Sequence, residues 1–166
     1  MSKKCILFSG AVGCSKTPTA TYLSQQFDLP ILSNDSIRTE ILEDFGKPNE
    51  NEYMKRRDSR LNMILGSGKS FILDVSIDRE YERIMKLLKK YKYRHIIISF
   101  DLSKKLLIKL YKIKGYKESL KRVDSLILDH GNFIKKYNKV VNLHINDDNF
   151  TDRLNISFNK VKSFIK

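Results

Sequence analysis

Residues 5–23, CILFSGAVGCSKTPTATYL, decide the fold. The apolar run over residues 3–8, bounded by Ser-Gly, is typical of a buried strand. Residues 17–27 predict a helix, in which Pro18 is tolerated because it falls in the first turn. A glycine-bearing loop joins the two. A strand, such a loop and a helix in this order direct backbone N–H groups and the positive end of the helix towards one point, which favours an anion there.

The spacing within the loop matches the phosphate-binding pattern G-x-x-x-x-G-K-[ST], except that Ser15 stands at the second glycine. The predicted ATP-binding residues are Gly10, Ala11, Val12, Gly13, Cys14, Ser15, Lys16 and Thr17. Lys16 is expected to reach the β- and γ-phosphates, and the Thr17 hydroxyl to bind Mg²⁺. The competing interpretation is an ordinary strand–helix turn with an incidental lysine.

A second segment, GSGKS at residues 66–70, resembles the same pattern but has the opposite polarity. It follows a predicted helix over residues 50–65 and precedes a predicted strand. A phosphate there would meet helix carbonyls, which have the wrong sign. We therefore interpret this segment as a helix end, with Gly66 as its terminator and Lys69 as a turn residue.

The rest of the chain alternates short apolar strands with helices. Further strands are predicted at residues 29–32, 70–75, 94–102 and 139–145. Further helices are predicted over residues 35–44, capped by Asp35 or Ser36, over residues 78–91, capped by Asp78, and over residues 103–115, 116–136 and 151–165. This order predicts a three-layer α/β/α fold of the P-loop NTPase class, nucleoside-kinase-like, with a parallel five-stranded sheet. We expect one domain over residues 1–166, with a lid segment at about 103–122.

Composition narrows the class of protein. The 166 residues carry a formal net charge of +13, which is concentrated in residues 86–121 with twelve basic and two acidic side chains. Such a segment favours an anionic partner, although lysine-rich helices are often only solvated faces. No apolar run is long enough to span a bilayer, and no signal peptide is evident. With two cysteines, Cys5 and Cys14, a cytoplasmic location is expected.

Three side chains lie at or just after the ends of predicted strands, on the edge where ligands bind in parallel sheets. Asp35 could orient and deprotonate an acceptor hydroxyl, Arg38 could bind an anionic group of the acceptor, and Asp74 could join Thr17 in holding Mg²⁺. Each has an ordinary alternative: a helix cap, a solvated arginine and a strand-end turn. Their convergence on the predicted loop favours the functional interpretation.

The segments GAVGCSKT, LSNDSIR, ILGSGKSFILDVS and IIISFDLSKKLLIKL resemble P-loop kinases related to polynucleotide 5′-hydroxyl kinase and, more distantly, zeta toxins and nucleotide kinases. The resemblance implies that Asp35 activates the acceptor, that Arg38 binds it and that Asp74 ends strand three. In this group the lid supplies arginine to the phosphates. Here Lys112 and Lys114, or the more distant Arg122, would have to bind the phosphates instead.

The sequence therefore predicts an Mg²⁺-dependent kinase that transfers the γ-phosphoryl group of ATP to a hydroxyl acceptor, with a nucleic acid 5′-hydroxyl or a nucleotide as the candidate acceptors. One alternative is a nucleotide-binding regulatory module with an altered loop and little turnover. A weaker one is a basic RNA-binding protein. His95, His130 and His144 are scattered singly, so no zinc site is predicted.

Overall fold

The computed structural model describes residues 3–166. Met1 and Ser2, which begin both the expected domain and the segment in which no signal peptide is evident, lie outside the described residues. Its strands are β1 (Lys4–Gly10), β2 (Ile31–Ser33), β3 (Phe71–Ser76), β4 (Arg94–Phe100) and β5 (Leu143–Ile145). Its helices are α1 (Lys16–Phe27), α2 (Asn34–Phe45), α3 (Glu50–Ser67), α4 (Tyr81–Lys90), α5 (Lys104–Lys114), α6 (Lys117–Lys121), α7 (Val123–Tyr137) and α8 (Arg153–Ile165).

The five strands form one parallel sheet in the order β2-β3-β1-β4-β5. This confirms the predicted fold class. The sheet has β1 at its centre, so the loop that follows Gly10 emerges between the ends of β3 and β4. Consecutive strands run the same way because each returns through a helix, and the carboxyl ends of all five therefore share one edge.

The side chains of β1 point alternately to the two faces of the sheet, and this explains the three layers. Cys5 and Leu7 face a core built with α3, α4 and α7, whereas Ile6 and Phe8 face a second core built with α1, α5 and α8. Successive side chains of a strand point to opposite faces, so a strand covered on both sides is apolar throughout. None of the helices within residues 3–166 is long and apolar enough to cross a membrane.

Several predicted boundaries are wrong for identifiable reasons. Helix α3 continues through Gly66 to Ser67 and ends at Gly68, which adopts a φ of 73°. The predicted helix 116–136 is two helices separated at Arg122. Helix α2 begins at Asn34 with Ser33 as its cap, so neither Asp35 nor Ser36 caps it. Helix α4 begins only at Tyr81, and Asp78 has a different role described below.

The GSGKS segment lies as its polarity predicts, at the end of α3 and before β3. The Lys69 carbonyl accepts a hydrogen bond from the Tyr93 hydroxyl at 2.8 Å, and its N–H donates to Ser67 Oγ at 3.3 Å. These contacts hold a turn at the amino-terminal edge of the sheet, opposite the loop after β1.

Candidate phosphate-binding site

The loop between β1 and α1 is closely packed at its two glycines. A Cβ on Gly10, whose φ is 136°, would lie 2.8 Å from Cys14 Sγ and 3.0 Å from Phe100 Cβ. A Cβ on Gly13, whose φ is 70°, would lie 2.9 Å from the Tyr111 ring. Both positions need glycine for conformation and for space. The loop is thus held in one shape by its neighbours on β4 and α5.

Ser15 occupies the motif's second glycine position in a left-handed conformation, with a φ of 87°. This conformation costs a non-glycine residue about 1–2 kcal/mol. The side chain is 4% exposed, and its Oγ accepts a hydrogen bond from Arg153 Nε at 2.8 Å. The departure from the motif is therefore a specific contact with the first residue of α8, which sequence inspection misses because 138 positions separate the two residues.

The Lys16 ammonium lies inside the loop. Its Nζ donates to the Gly10 carbonyl at 2.8 Å and to the Ala11 carbonyl at 2.6 Å. Cys14 Sγ lies 3.5 Å from the same nitrogen, and burial raises the pKa of this thiol, so it stays protonated at neutral pH. Lys16 is thus the cation at the centre of the loop, as the motif predicts.

Thr17, Asp74 and Asp35 lie together beside Lys16. Burial raises the pKa of Asp74, the nearby Thr17 hydroxyl and the charge of Lys16 lower it, and the charge of Asp35 raises it, so the net shift is upward. Asp74 is 8% exposed, whereas Asp35 is exposed at the second position of α2. The structure therefore brings the predicted metal-binding and acceptor-activating residues to the same edge of the sheet.

The donor set around Thr17 fits Mg²⁺. One hydroxyl and one buried carboxylate, with a second carboxylate nearby, are hard oxygen ligands of the kind this ion takes. No group of three His, Cys, Asp or Glu side chains within residues 3–166 converges as a metal site. Mg²⁺ does not need such a cage, because it keeps several waters and shares the phosphates of its substrate.

Arg38 is directed away from this group. Its guanidinium lies over the Tyr53 ring, 3.7 Å from the centroid, and its Nη1 lies 3.2 Å from Glu50 Oε2. Half of the side chain is exposed. A small cavity of about 130 Å³ lies beside it, between α2 and α3. Arg38 is therefore fixed at the rim, one helical turn from Asp35.

The predicted lid contributes one of its two lysines to the loop. Lys114 Nζ donates to the Gly13 carbonyl at 2.7 Å, and the Tyr111 hydroxyl donates to the Val12 carbonyl at 2.6 Å. Lys112 lies exposed in the last turn of α5, and no side-chain contact joins it to the described part of the loop. The carboxyl-terminal half of α5 thus packs against the loop tip.

A buried polar network lies beneath the loop, and the sequence does not predict it. Asp78 Oδ1 accepts from Ser9 Oγ at 2.6 Å and from the Gly10 N–H at 3.3 Å. His130 joins it through Nδ1 at 3.0 Å from Asp78 Oδ2, and through Nε2 at 2.7 Å from Asp101 Oδ1. His144 bonds the other oxygen of Asp101. Two of the three histidines that look isolated in sequence therefore belong to one cluster.

The network is charged at neutral pH. Burial lowers the pKa of His130, but hydrogen bonds with Asp101 and Asp78 outweigh it and raise the pKa to about 9. Burial raises the pKa of both aspartates, and their hydrogen bonds with His130 and with Ser9 or Ser99 bring a net lowering. A cation between two carboxylates thus ties β1, β4 and α7 together directly below Gly10.

No family model matches the sequence, and no curated protein shows significant sequence similarity to it. Solved structures do match. A gluconokinase from Sinorhizobium meliloti has a TM-score of 0.67 at 9% identity, covering 98% of this chain and 93% of that chain. APS kinase CysC from Mycobacterium tuberculosis, in complex with AMPPNP and APS, has a TM-score of 0.66 at 12% identity, covering 97% of this chain and 98% of that chain.

The chain has the fold of the P-loop kinases. Deoxyadenosine kinase from M. mycoides, with bound dCTP, is a further example, with a TM-score of 0.59 at 15% identity over 96% of this chain and 99% of that chain. At such identities the likeness concerns the fold alone. It does not single out polynucleotide 5′-hydroxyl kinases or zeta toxins among P-loop kinases.

Proposed function

We propose that this protein transfers the γ-phosphoryl group of ATP to a hydroxyl acceptor. The observation that carries the proposal is the arrangement of Lys16 inside the loop with Thr17, Asp74 and Asp35 beside it. A cation for the phosphates, oxygen ligands for Mg²⁺ and a free carboxylate for the acceptor are the groups that phosphoryl transfer needs, because its catalysis is mainly positioning and charge stabilisation.

Each residue has a separate task. Lys16 exchanges the carbonyls of Gly10 and Ala11 for the β- and γ-phosphates, while the loop N–H groups hold the α- and β-phosphates. Thr17 and Asp74 would hold Mg²⁺, which neutralises charge on the β- and γ-oxygens when bound. The raised pKa of Asp74 supports this role, since a carboxylate shielded from water benefits from a cation beside it.

Asp35 is the proposed base. It is exposed, whereas Asp74 is buried, so an acceptor reaches Asp35 first. Asp35 orients the acceptor O–H and accepts its proton as the oxygen attacks the γ-phosphorus. The bond between that phosphorus and the β–γ bridging oxygen breaks, and ADP leaves with the bond's electron pair. The residue lies near the start of α2, where the positive end of the helix favours a negative charge.

The acceptor we propose is small and carries a phosphate or carboxylate, as a nucleotide does. Arg38 lies over the Tyr53 ring and half of its side chain is exposed, which suits bidentate binding of such a group. The basic segment gives less support to a polynucleotide. Lys86, Lys89 and Lys90 lie on α4, which leads to the amino-terminal end of β4, away from the loop.

We also propose a cytoplasmic location for the protein. Cys5 and Cys14 are both buried and unpaired thiols. Free thiols of this kind are typical of a reducing compartment, where disulfides rarely form.

The test is ATP consumption measured against a panel of hydroxyl acceptors, including nucleotides, phosphorylated sugars and 5′-hydroxyl oligonucleotides. With the best acceptor, Asp35→Asn should lower kcat by roughly 10²–10⁴ while the Kd for MgATP changes little, which is the usual range for general-base catalysis. Glu43→Gln, an exposed carboxylate on the same helix, is the matched control.

The outcomes separate an enzyme from a binding module. A kcat for Asp35→Asn within a few-fold of the wild type rejects the catalytic role, because asparagine keeps the shape of the side chain but cannot accept the proton of the acceptor. Tight MgATP binding without turnover on any acceptor would favour the regulatory alternative. Turnover only with 5′-hydroxyl oligonucleotides would overturn the small acceptor.

A further inference from the structure

Arg153 lies beside the loop, and none of the described carboxylates pairs with it. Its Nε donates to Ser15 Oγ at 2.8 Å and its Nη1 to the Phe150 carbonyl at 3.0 Å. Nη2 has no hydrogen-bond partner among the described residues. One arm of the guanidinium is therefore left to bind something that the chain itself does not supply.

Most arginines of this protein pair with a carboxylate. Within residues 3–166, Arg94, Arg122 and Arg153 have no such partner, and of these three only Arg153 contacts the loop between β1 and α1. The paired arginines are Arg38, Arg56, Arg57, Arg60, Arg79 and Arg83.

The guanidinium of Arg153 is held in place from two sides. It lies over the Phe150 ring, 4.3 Å from the centroid, and its two hydrogen bonds fix the plane of the fork. This position is electrostatically costly, because Arg153 is the first residue of α8 and the positive end of a helix disfavours a cation by about 0.3–1 kcal/mol. Burial lowers the pKa of Arg153. A residue placed there only to begin the helix would be polar or acidic.

Further cations surround the same point. Lys114 contacts the Gly13 carbonyl, and Lys16 lies inside the loop. Burial lowers the pKa of Lys114, and the charges of Arg153 and Lys16 lower it further. Arg153 and Lys16 thus both lie close enough to Lys114 to repel it. A polyphosphate would stabilise these cations, which lie around the backbone N–H groups of a helix start.

We propose that Arg153, held by Ser15, is a phosphate-binding residue of the nucleotide site and supplies a guanidinium beside the arginine-poor lid. Ser15 directly precedes Lys16, where loop N–H groups face the α- and β-phosphates, so Nη2 of Arg153 is expected to bind an oxygen of one of these. The serine in the motif and the arginine-poor lid are then parts of one arrangement. This inference rests on the proposed function, since it requires a bound nucleotide.

The test is calorimetric binding of MgATP and of magnesium tripolyphosphate, a probe without base or sugar. Arg153→Gln should weaken both by roughly 10–100-fold, the range for a charge-assisted hydrogen bond. Arg94→Gln is the matched control: Arg94 also lies over a phenylalanine ring, that of Phe164, but at the amino-terminal end of β4, and it should leave both Kd values unchanged.

A double-mutant cycle tests the role of the serine. Ser15→Ala keeps the backbone conformation but removes the hydroxyl, so it should weaken MgATP binding by about fivefold, as expected for loss of one hydrogen bond of about 1 kcal/mol. In the Arg153→Gln background it should have no further effect. Arg153→Lys, which keeps a charge but loses the Nε donor, should fall between the wild type and Arg153→Gln.

The outcomes distinguish this inference from the proposed function. If Lys16→Ala abolishes MgATP binding while Arg153→Gln binds both probes within twofold of the wild type, Arg153 has only a structural role and the inference fails alone. A lower melting temperature for Arg153→Gln with unchanged Kd values leads to the same conclusion. If Arg153→Gln does not fold, wild-type affinity in Arg153→Lys overturns the inference. If the wild type binds neither probe, both proposals fail.

Discussion

The protonation of His130 should make the stability of this protein fall between about pH 7 and pH 9. His130 lies between Asp78 and Asp101, and its pKa is raised from 6.5 to about 9 in the folded protein. A raised folded-state pKa contributes stability that is complete below the unfolded value and is lost as the pH rises through the folded value. The carboxylates stay ionised throughout this range, because their own pKa values are lowered.

The magnitude follows from the two pKa values. With 6.5 in the unfolded chain and about 9 in the folded one, linkage predicts a contribution of about 2.6 kcal/mol at pH 7 and about 0.4 kcal/mol at pH 9. The free energy of unfolding should therefore fall by about 2 kcal/mol over this interval. Urea denaturation at several pH values, with the midpoint and slope fitted at each, measures it directly.

Two variants isolate the effect. His130→Gln should remove most of this pH dependence, whereas His95→Gln should retain it, because burial lowers the pKa of His95 and keeps that ring neutral across the range. Cys5 and Cys14 also favour the unfolded state near pH 9, but they do so equally in all three proteins. Equal losses of stability in the wild type and in His130→Gln would refute the charged network.

Three further predictions concern the loop and the segment that resembles it. Lys16→Ala should abolish tight MgATP binding and Lys69→Ala should not, as measured by calorimetry; the reverse result would show that the loop after β1 is not the phosphate site. Asp74→Asn should raise the Mg²⁺ concentration needed for half-maximal ATP turnover while nucleotide binding without the metal is kept, and an unchanged Mg²⁺ dependence would remove Asp74 from the metal site. Gly68→Ala should destabilise the fold by about 1 kcal/mol, because the position has a φ of 73°. Gly66→Ala should instead stabilise the fold by about 0.5–1 kcal/mol, because this glycine has open space around it in the last turn of α3. Thermal or urea unfolding of the two variants would show whether Gly68 rather than Gly66 ends the helix.

Local signals in the sequence are enough to predict the fold and half of the candidate site. An apolar strand, two glycines, a lysine and a helix start are adjacent in the chain, so Lys16 and Thr17 can be placed from spacing alone. Asp74 can be placed near this edge because it lies in the carboxyl-terminal half of a strand of a parallel sheet, whose carboxyl ends share one edge. The expectation that it ends the strand is wrong, because β3 continues to Ser76. The error in the predicted end of α3 has an equally local cause, since both Gly66 and Gly68 can terminate a helix.

The remaining parts depend on contacts between distant segments. Asp78 resembles a helix cap because its carboxylate suits that role, and only the folded sheet brings His130 to it from 52 positions away. Ser15 resembles a defect in the motif because its partner lies on the last helix. No periodicity or spacing reports a pair of this kind, because each residue is ordinary in its own segment.

The order in which the chain is made gives the contact between Ser15 and Arg153 a further consequence. The loop belongs to the first strand–helix unit, and its partner follows 138 residues later. At about 5–20 residues per second, synthesis separates the two by roughly 7–28 s. Throughout that time Ser15 is without the side chain that holds it. The candidate phosphate-binding loop therefore gains this contact only after all five strands of the sheet have been made.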